Sequence, residues 1–401
     1  MKIFAVILEV LPKSVEILAG AGLFVLPVSK TAAETCFIAA LVCWLLLKIA
    51  SKTPLFPRSA PAFFFLLFLA ATLFSLIQIP PSLFPTGLKG ALRWLKYLGI
   101  FCMCWDIYRS SGQRSRLFWI FLISTAVVAF DGFWQLYTGK DLFFGRPLDP
   151  GRIVRIKASL PGPTDLASFL LFAIPLSALF FFRAVSKKLR ATAGFLFFFF
   201  LAAFFLTFSR AAFYALAASL LLNLFSMKKA KAAVLLSVSL AMLVFAVPSF
   251  RYNFVETFER KDITITERRA YWDVALAMIK DRPLLGVGVN TYHVRFPDYV
   301  SNAKTRQAYP HNCYLQMASE IGIPGAVFFL LGVLGVFAGS LRRAKNGDRS
   351  AAGALRIALT AFLIQAVFDT NFYALQTAFL FWVFLGILGS IASGKTLPSE
   401  K

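Results

Sequence analysis

Two histidines, His293 and His311, supply the only imidazoles of this 401-residue chain, and both fall between residues 249 and 318. His311 has the more telling context. Pro310 precedes it, and Asn312-Cys313-Tyr314-Leu315-Gln316 leads into an apolar run, so the spacing predicts a helix start with the imidazole in its first turn. The positive end of a helix dipole disfavours imidazolium, which leaves His311 neutral and able to accept a proton near pH 7. A capping or interfacial histidine is the plainer reading on spacing alone. His293, between Tyr292 and Val294, has the weaker case.

The remaining candidates are cations and carboxylates inside apolar surroundings. Arg210 lies in TFSRAAFYAL, between two apolar runs joined by no more than a tight turn. An arginine toward the centre of a span costs up to ~2.5–3.5 kcal/mol, so a function is expected there, against the bland alternative of snorkelling. Lys89, Arg93 and Lys96 recur at i, i+4, i+7 and share one helix face. Three like charges repel unless something compensates, either Asp106 and Asp131, or a bound anion such as pyrophosphate, or lipid head groups. Arg152, Arg155 and Lys157 precede the turn PGPTD at 161–165, and Arg268, Arg269, Arg282 and Arg295 add to the basic set. Asp369, in QAVFDTNFYAL, needs a partner and has Arg210, Arg93 or an imidazole to choose from; Glu320 reads as similar but more exposed.

The elements that position these groups follow from composition. Hydrophobic residues make up 59% of the chain and charged ones 15%, with 46 Phe; mean hydropathy is +0.72. A soluble domain has about 25% charged residues, so a cytosolic enzyme, a disordered chain and a disulfide scaffold are all excluded. The pattern predicts an all-α polytopic membrane protein with about 12 transmembrane helices. They fall near 12–28, 31–50, 61–79, 90–106, 116–137, 164–183, 193–209, 210–226, 232–248, 319–341, 353–372 and 375–392. The predicted organisation is 1–248 with helices one to nine and a short external loop near 138–163, then 249–318 as a large helical external loop, then 319–401 with the last three helices and a cytoplasmic tail.

Sidedness comes from charge. Lys+Arg number 42 against 19 Asp+Glu, a net +23 that would suggest nucleic acid on a soluble chain. Here every second connection is basic, which the positive-inside rule explains without a nucleic-acid partner; both termini are then cytoplasmic. Within the large loop, Trp272, Leu276 and Ile279 stand at i, i+4, i+7 and predict one apolar face of an amphipathic helix, followed by the turn signal PLLGVGVN at 283–290. The five Cys show no ligand spacing, Gly286-Val287-Gly288 lacks the strand and helix of a dinucleotide site, and no metal-ligand spacing is present, so no cofactor or metal is expected.

Six segments in order resemble one family, the bacterial O-antigen ligase and polymerase superfamily. They are GLKGALRWLKYL at 87–98, RIVRIKASLPGPTDLASFL at 152–170, TFSRAAFYAL at 207–216, RRAYWDVALAMIKDRPLLGVGVNTY at 268–292, HNCYLQMASEIGIPGAVFF at 311–329 and FDTNFYA at 368–374. The third to fifth are the specific ones. PGPTD departs from the Pro-Asn pair of many members and leaves Thr164 and Asp165 without a role. The resemblance implies an inner-membrane glycosyltransferase with a periplasmic active site. It would move a glycan from undecaprenyl pyrophosphate to a sugar of the lipid A core, with inversion and without a metal. By the same resemblance His311 is the general base, Arg210 and Arg268 hold the pyrophosphate, and Asp369 matches an acidic residue near the penultimate span. Arg93, Lys89, Lys96, Arg152 and Arg155 are further candidates for the pyrophosphate, with Trp272 and Asn312 in support. The alternatives are an O-antigen polymerase using the same donor, and a lipid-linked glycan flippase, which would instead need cations along a channel crossing the membrane.

Overall fold

The computed structural model describes residues 2–148, 154–226, 231, 234–235, 263–300, 308–343 and 348–394. Arg152 and all but 234–235 of the ninth expected span (232–248) therefore lie outside the described residues. Eight helices come first: α1 (Lys2–Val25), α2 (Lys30–Ala50), α3 (Ala60–Phe74), α4 (Phe84–Ile107), α5 (Ser111–Thr138), α6 (Pro163–Arg183), α7 (Lys187–Leu206) and α8 (Arg210–Ser226). After them come α9 (Ile263–Asp281), α10 (Tyr292–Tyr299), α11 (Cys313–Arg343), α12 (Arg349–Gln365) and α13 (Leu375–Ser393). Among the described residues the one strand-like feature is an isolated bridge between Lys140 and Pro147.

Seven of these helices are long and apolar enough to cross a membrane: α2, α3 with its 3-10 extension to Gln78, α5, α6, α7, α11 and α13. With α8 as a shorter apolar helix, they mark a polytopic helical membrane protein. α4 begins at Phe84, six residues before the predicted start, because Pro85 suits the first turn. Lys89, Arg93 and Lys96 are thereby inside the helix. α13 is buried on all sides, as a helix apolar all round must be. Its Trp382 meets Phe65 at 5.3 Å and Phe329 at 6.0 Å, and Phe381 meets Phe372 at 4.7 Å. Packed rings, not polar groups, fill this part of the bundle.

Interhelical contacts sort the helix ends into two layers. In one, Lys48 at the end of α2 pairs with Asp106 of α4, Arg114 of α5 pairs with Asp348 before α12, Arg183 of α6 bonds Ser350 of α12, and Ser390 of α13 bonds the Tyr108 carbonyl. This layer gathers the basic connections. In the other, Ser124 of α5 donates to the Phe24 carbonyl, Gln376 of α13 to the Leu26 carbonyl, and Gln365 of α12 to the Thr164 carbonyl. His311 belongs to this second layer, since the Cys313 amide bonds the Ala366 carbonyl at 2.8 Å.

The segment after α9 folds into a break in α11. Gly322 has φ 80° and ψ 165°, a region essentially restricted to glycine. A Cβ there would stand 2.1 Å from the Leu284 carbonyl oxygen. Pro324 cannot supply a helical N–H, and the chain turns this gap to use: the Ile323 amide bonds the Pro283 carbonyl at 2.8 Å, and Val287 and Gly288 donate to Ser319 and Glu320. The buried stripe of α9 is Tyr271, Val274, Ala275 and Met278, packed with Tyr292 and Phe296. The predicted face of Trp272, Leu276 and Ile279 is thus offset by one residue, and Leu276 is 44% exposed. Apolar periodicity could not separate the two stripes, because Ala275 and Met278 extend both.

Gly322→Ala should lower stability by at least about 2 kcal/mol, combining strain with a backbone clash. Gly139→Ala, at φ 81° but with open space around it, should lose only about 1 kcal/mol. Thermal unfolding of both variants in detergent checks the difference; equal losses would show that the docked segment leaves room at Gly322.

Candidate active site

His311 sits two residues before α11 begins, not in its first turn. Asn312 is the cap: its Oδ1 accepts from the Tyr314 and Leu315 amides at 3.0 and 3.1 Å. His311 itself is left-handed, φ 47°, uncommon for a residue with a Cβ and costing roughly 1–2 kcal/mol. Bonds on either side hold it there. Trp272 Nε1 of α9 donates to the Pro310 carbonyl at 2.8 Å. On the other side the Cys313 amide is tied to Ala366, and Cys313 Sγ donates to the Asp369 carbonyl at 3.1 Å. The imidazole faces Tyr271 with ring centroids 6.5 Å apart.

These ties bring Arg268 and Asp369 into the field of His311. Partial burial is the first cause that lowers the imidazole pKa from its ordinary 6.5, and the Arg268 charge lowers it further; Asp369 opposes both. The neutral form is thus favoured, as expected, but by desolvation and a guanidinium, the residue standing outside the helix. Burial pushes the Asp369 carboxyl upward, while the Thr370 amide, His311 and Arg268 pull it back. The Thr370 amide bond to Asp369 Oδ1 is 2.8 Å. Asp165, in the first turn of α6, feels the charges of Asp369 and Lys30, so the PGPTD turn contributes a carboxylate to the same neighbourhood.

The predicted cationic face of α4 divides. Lys96 pairs with Glu34 of α2 and lies over the Tyr97 and Phe379 rings. Lys89 is exposed. Arg93 is half-buried, and its charge reaches Glu320, Tyr309 and Tyr373. The compensating carboxylates are thus Glu34 and Glu320. Asp106 is engaged by Lys48 and Arg109, and Asp131 accepts the Leu142 amide at 2.6 Å. Glu320 is 1% exposed, contrary to expectation, because the segment after α9 covers it: its carboxylate accepts from the Asn290 amide at 3.0 Å and Gln316 Nε2 at 3.1 Å.

Arg210 opens α8 in the same layer. Ser219 of α8 donates to the Ile357 carbonyl of α12 at 2.7 Å. Counting back along antiparallel helices at about 1.5 Å per residue sets Arg210 level with Ala366, the residue whose carbonyl anchors Cys313. Arg155 meets this turn through Nε, which donates to the Thr207 carbonyl at 2.9 Å. Arg268, His311 and Asp369 therefore form one group, Arg93 with Glu320 a second, and Arg155 with Arg210 a third. All lie at one end of the bundle. Sequence reading passed over Lys30 and Tyr309; only position in the chain separates Lys30 from other basic residues, and nothing in the pattern signals that it meets Asp165.

Residues 195–330 match the family model described as O-Antigen ligase. The match spans about a third of the chain and contains Arg210, Arg268, Trp272 and His311. It supports the resemblance to the O-antigen ligase and polymerase superfamily and, with the apolar helices, a membrane-bound activity of that general type. No curated protein matches the chain.

With two histidines in the chain, isotope-labelled histidine gives two NMR signals, and His293→Gln assigns them. The His311 signal should titrate below 6.5. Arg268→Gln removes a positive neighbour and should move that midpoint up; Asp369→Asn removes a negative one and should move it down. Shifts of the opposite sign would place these side chains away from the imidazole.

Proposed function

We propose that this chain is a glycosyltransferase that moves an O-antigen-type glycan from undecaprenyl pyrophosphate to a lipid A core sugar. The site would lie at the periplasmic face of the bacterial inner membrane, with residues 249–318 as the periplasmic loop and both termini cytoplasmic. The observation that carries this reading is His311, whose neutral form is favoured by burial and the Arg268 charge with Asp369 opposing, within a segment similar to the O-Antigen ligase family.

The chemistry follows from charge. The acceptor hydroxyl oxygen forms a bond to the anomeric carbon as the bond to the pyrophosphate oxygen breaks, and the leaving group keeps the electron pair. His311 takes the hydroxyl proton, a role that needs a base near neutral pKa. Arg268, Arg210 and Arg93 offset the charge on the departing diphosphate; preorganised guanidinium groups do this without a metal, and each charge-assisted bond contributes ~1.5–3 kcal/mol. Asp369 orients the imidazole and offsets its charge once it is protonated. Displacement from the opposite face inverts the anomeric centre. Packed rings through the bundle, among the described residues, favour this reading over a polar transport path.

His311→Ala should keep the folded state yet lower transfer by ~100-fold or more, measured as glycan attached to lipid A core. Near-normal attachment would remove His311 from the mechanism. Deleting the gene and resolving lipopolysaccharide by electrophoresis separates the two acceptors: bare core indicates a ligase, core carrying one repeat unit a polymerase.

A further inference from the structure

Four serines at helix N-caps do what serine does best there. Ser29, Ser59, Ser110 and Ser186 each accept a hydrogen bond from an amide three residues on, at 3.2 to 3.4 Å. Ser209 occupies the same position before α8. Its carbonyl accepts the first helical bond from the Phe213 amide at 2.9 Å, and its own amide donates to Thr207 Oγ1 at 3.3 Å. Its hydroxyl, by contrast, has no hydrogen-bond partner among the described residues, although the side chain is buried and the residue only 6% exposed. An orphaned buried hydroxyl costs about 1–3 kcal/mol. Phe208 beside it is left-handed, φ 45°, a genuine outlier for a bulky residue. Strain and an unused polar group thus coincide in one turn.

Among the described residues, several electropositive groups lie close to this hydroxyl. The first-turn amides of α8 have no intrahelical acceptor and sit at the positive end of its dipole. The first turn contains no acid. Arg210 follows directly, and Arg155 is fastened to the preceding Thr207 carbonyl. A hydroxyl donor, helix-terminal amides and guanidinium groups are the set that binds a phosphate.

We propose that Ser209 and the first turn of α8 hold one phosphate group of the lipid-linked diphosphate, the hydroxyl turning about its one side-chain torsion to donate to a phosphoryl oxygen. The inference rests on the reading of the donor given above and adds a specific ligand to it. Ser209 acts on binding and bears no proton in the transfer.

Two variants of the full-length protein in detergent test it, with inorganic pyrophosphate by calorimetry and the lipid-linked donor in a transfer assay as probes. Ser209→Ala should weaken pyrophosphate binding and raise the donor KM by roughly tenfold, with kcat and thermal midpoint unchanged, because the hydroxyl it removes bonds nothing among the described residues. Ser209→Asp caps a helix well, so it should hold the thermal midpoint while abolishing pyrophosphate binding. If Ser209→Ala loses stability but binds normally, the hydroxyl is a structural cap and the proposal fails. If Ser209→Asp binds pyrophosphate like the unaltered protein, the proposal fails alone, since donor use is intact. If the unaltered protein neither binds pyrophosphate nor uses the donor, the proposed function falls and this inference with it.

Discussion

The Cys313 amide bonded to the Ala366 carbonyl, with Cys313 Sγ on the Asp369 carbonyl, joins the start of α11 to the segment between α12 and α13. Both contacts involve buried groups, where a broken bond would leave an unsatisfied donor or acceptor. This junction determines where the polar end of the bundle can put an imidazole. His311 is displaced from the helix, bent into a left-handed conformation and left beside the one loop that carries Asp369. Trp272 closes the arrangement from α9, so the segment bearing Arg268 is fastened to the same point.

A second junction makes the first possible. α11 would run straight through this region if Gly322 and Pro324 did not break it. The break frees backbone groups that the segment at 283–290 then satisfies, and that segment covers Glu320. A buried carboxylate within the field of Arg93 results, with amide and Gln316 donors already in place. Charged groups at the edge of hydrocarbon are costly to hold, and here Arg93, Arg155, Glu320 and Asp369 are each held by a backbone bond or by an opposite charge. Lys96 is drawn out of the set by Glu34, which leaves α4 with an exposed Lys89 and the half-buried Arg93.

Layering of charge serves the same end. Basic connections collect at the end marked by Lys48, Arg114 and Arg183, where each meets an acid or a serine. His311, Arg268, Asp369, Arg93 and Arg210 collect at the other. Between them lie aromatic rings in contact, and a chain of such rings excludes water as it supports the helices. The two polar ends are thereby kept apart.

Apolar run length determined most of the helices, since crossing hydrocarbon demands about 20 apolar residues and no side-chain detail. Residue type likewise singled out His311, Arg210, Arg93 and Asp369, because an ionisable group among apolar ones is conspicuous in a linear string. Tertiary structure alone decided their partners. Glu34 and Lys96 are 62 residues apart, and Cys313 and Asp369 are 56 apart, so no local spacing could announce either contact. It also decided which face of α9 is buried, that His311 stands outside its helix, that Glu320 is covered, and that the Ser209 hydroxyl is left over. Pattern reports what a residue prefers; which preference is met depends on neighbours brought close by the packing of distant helices.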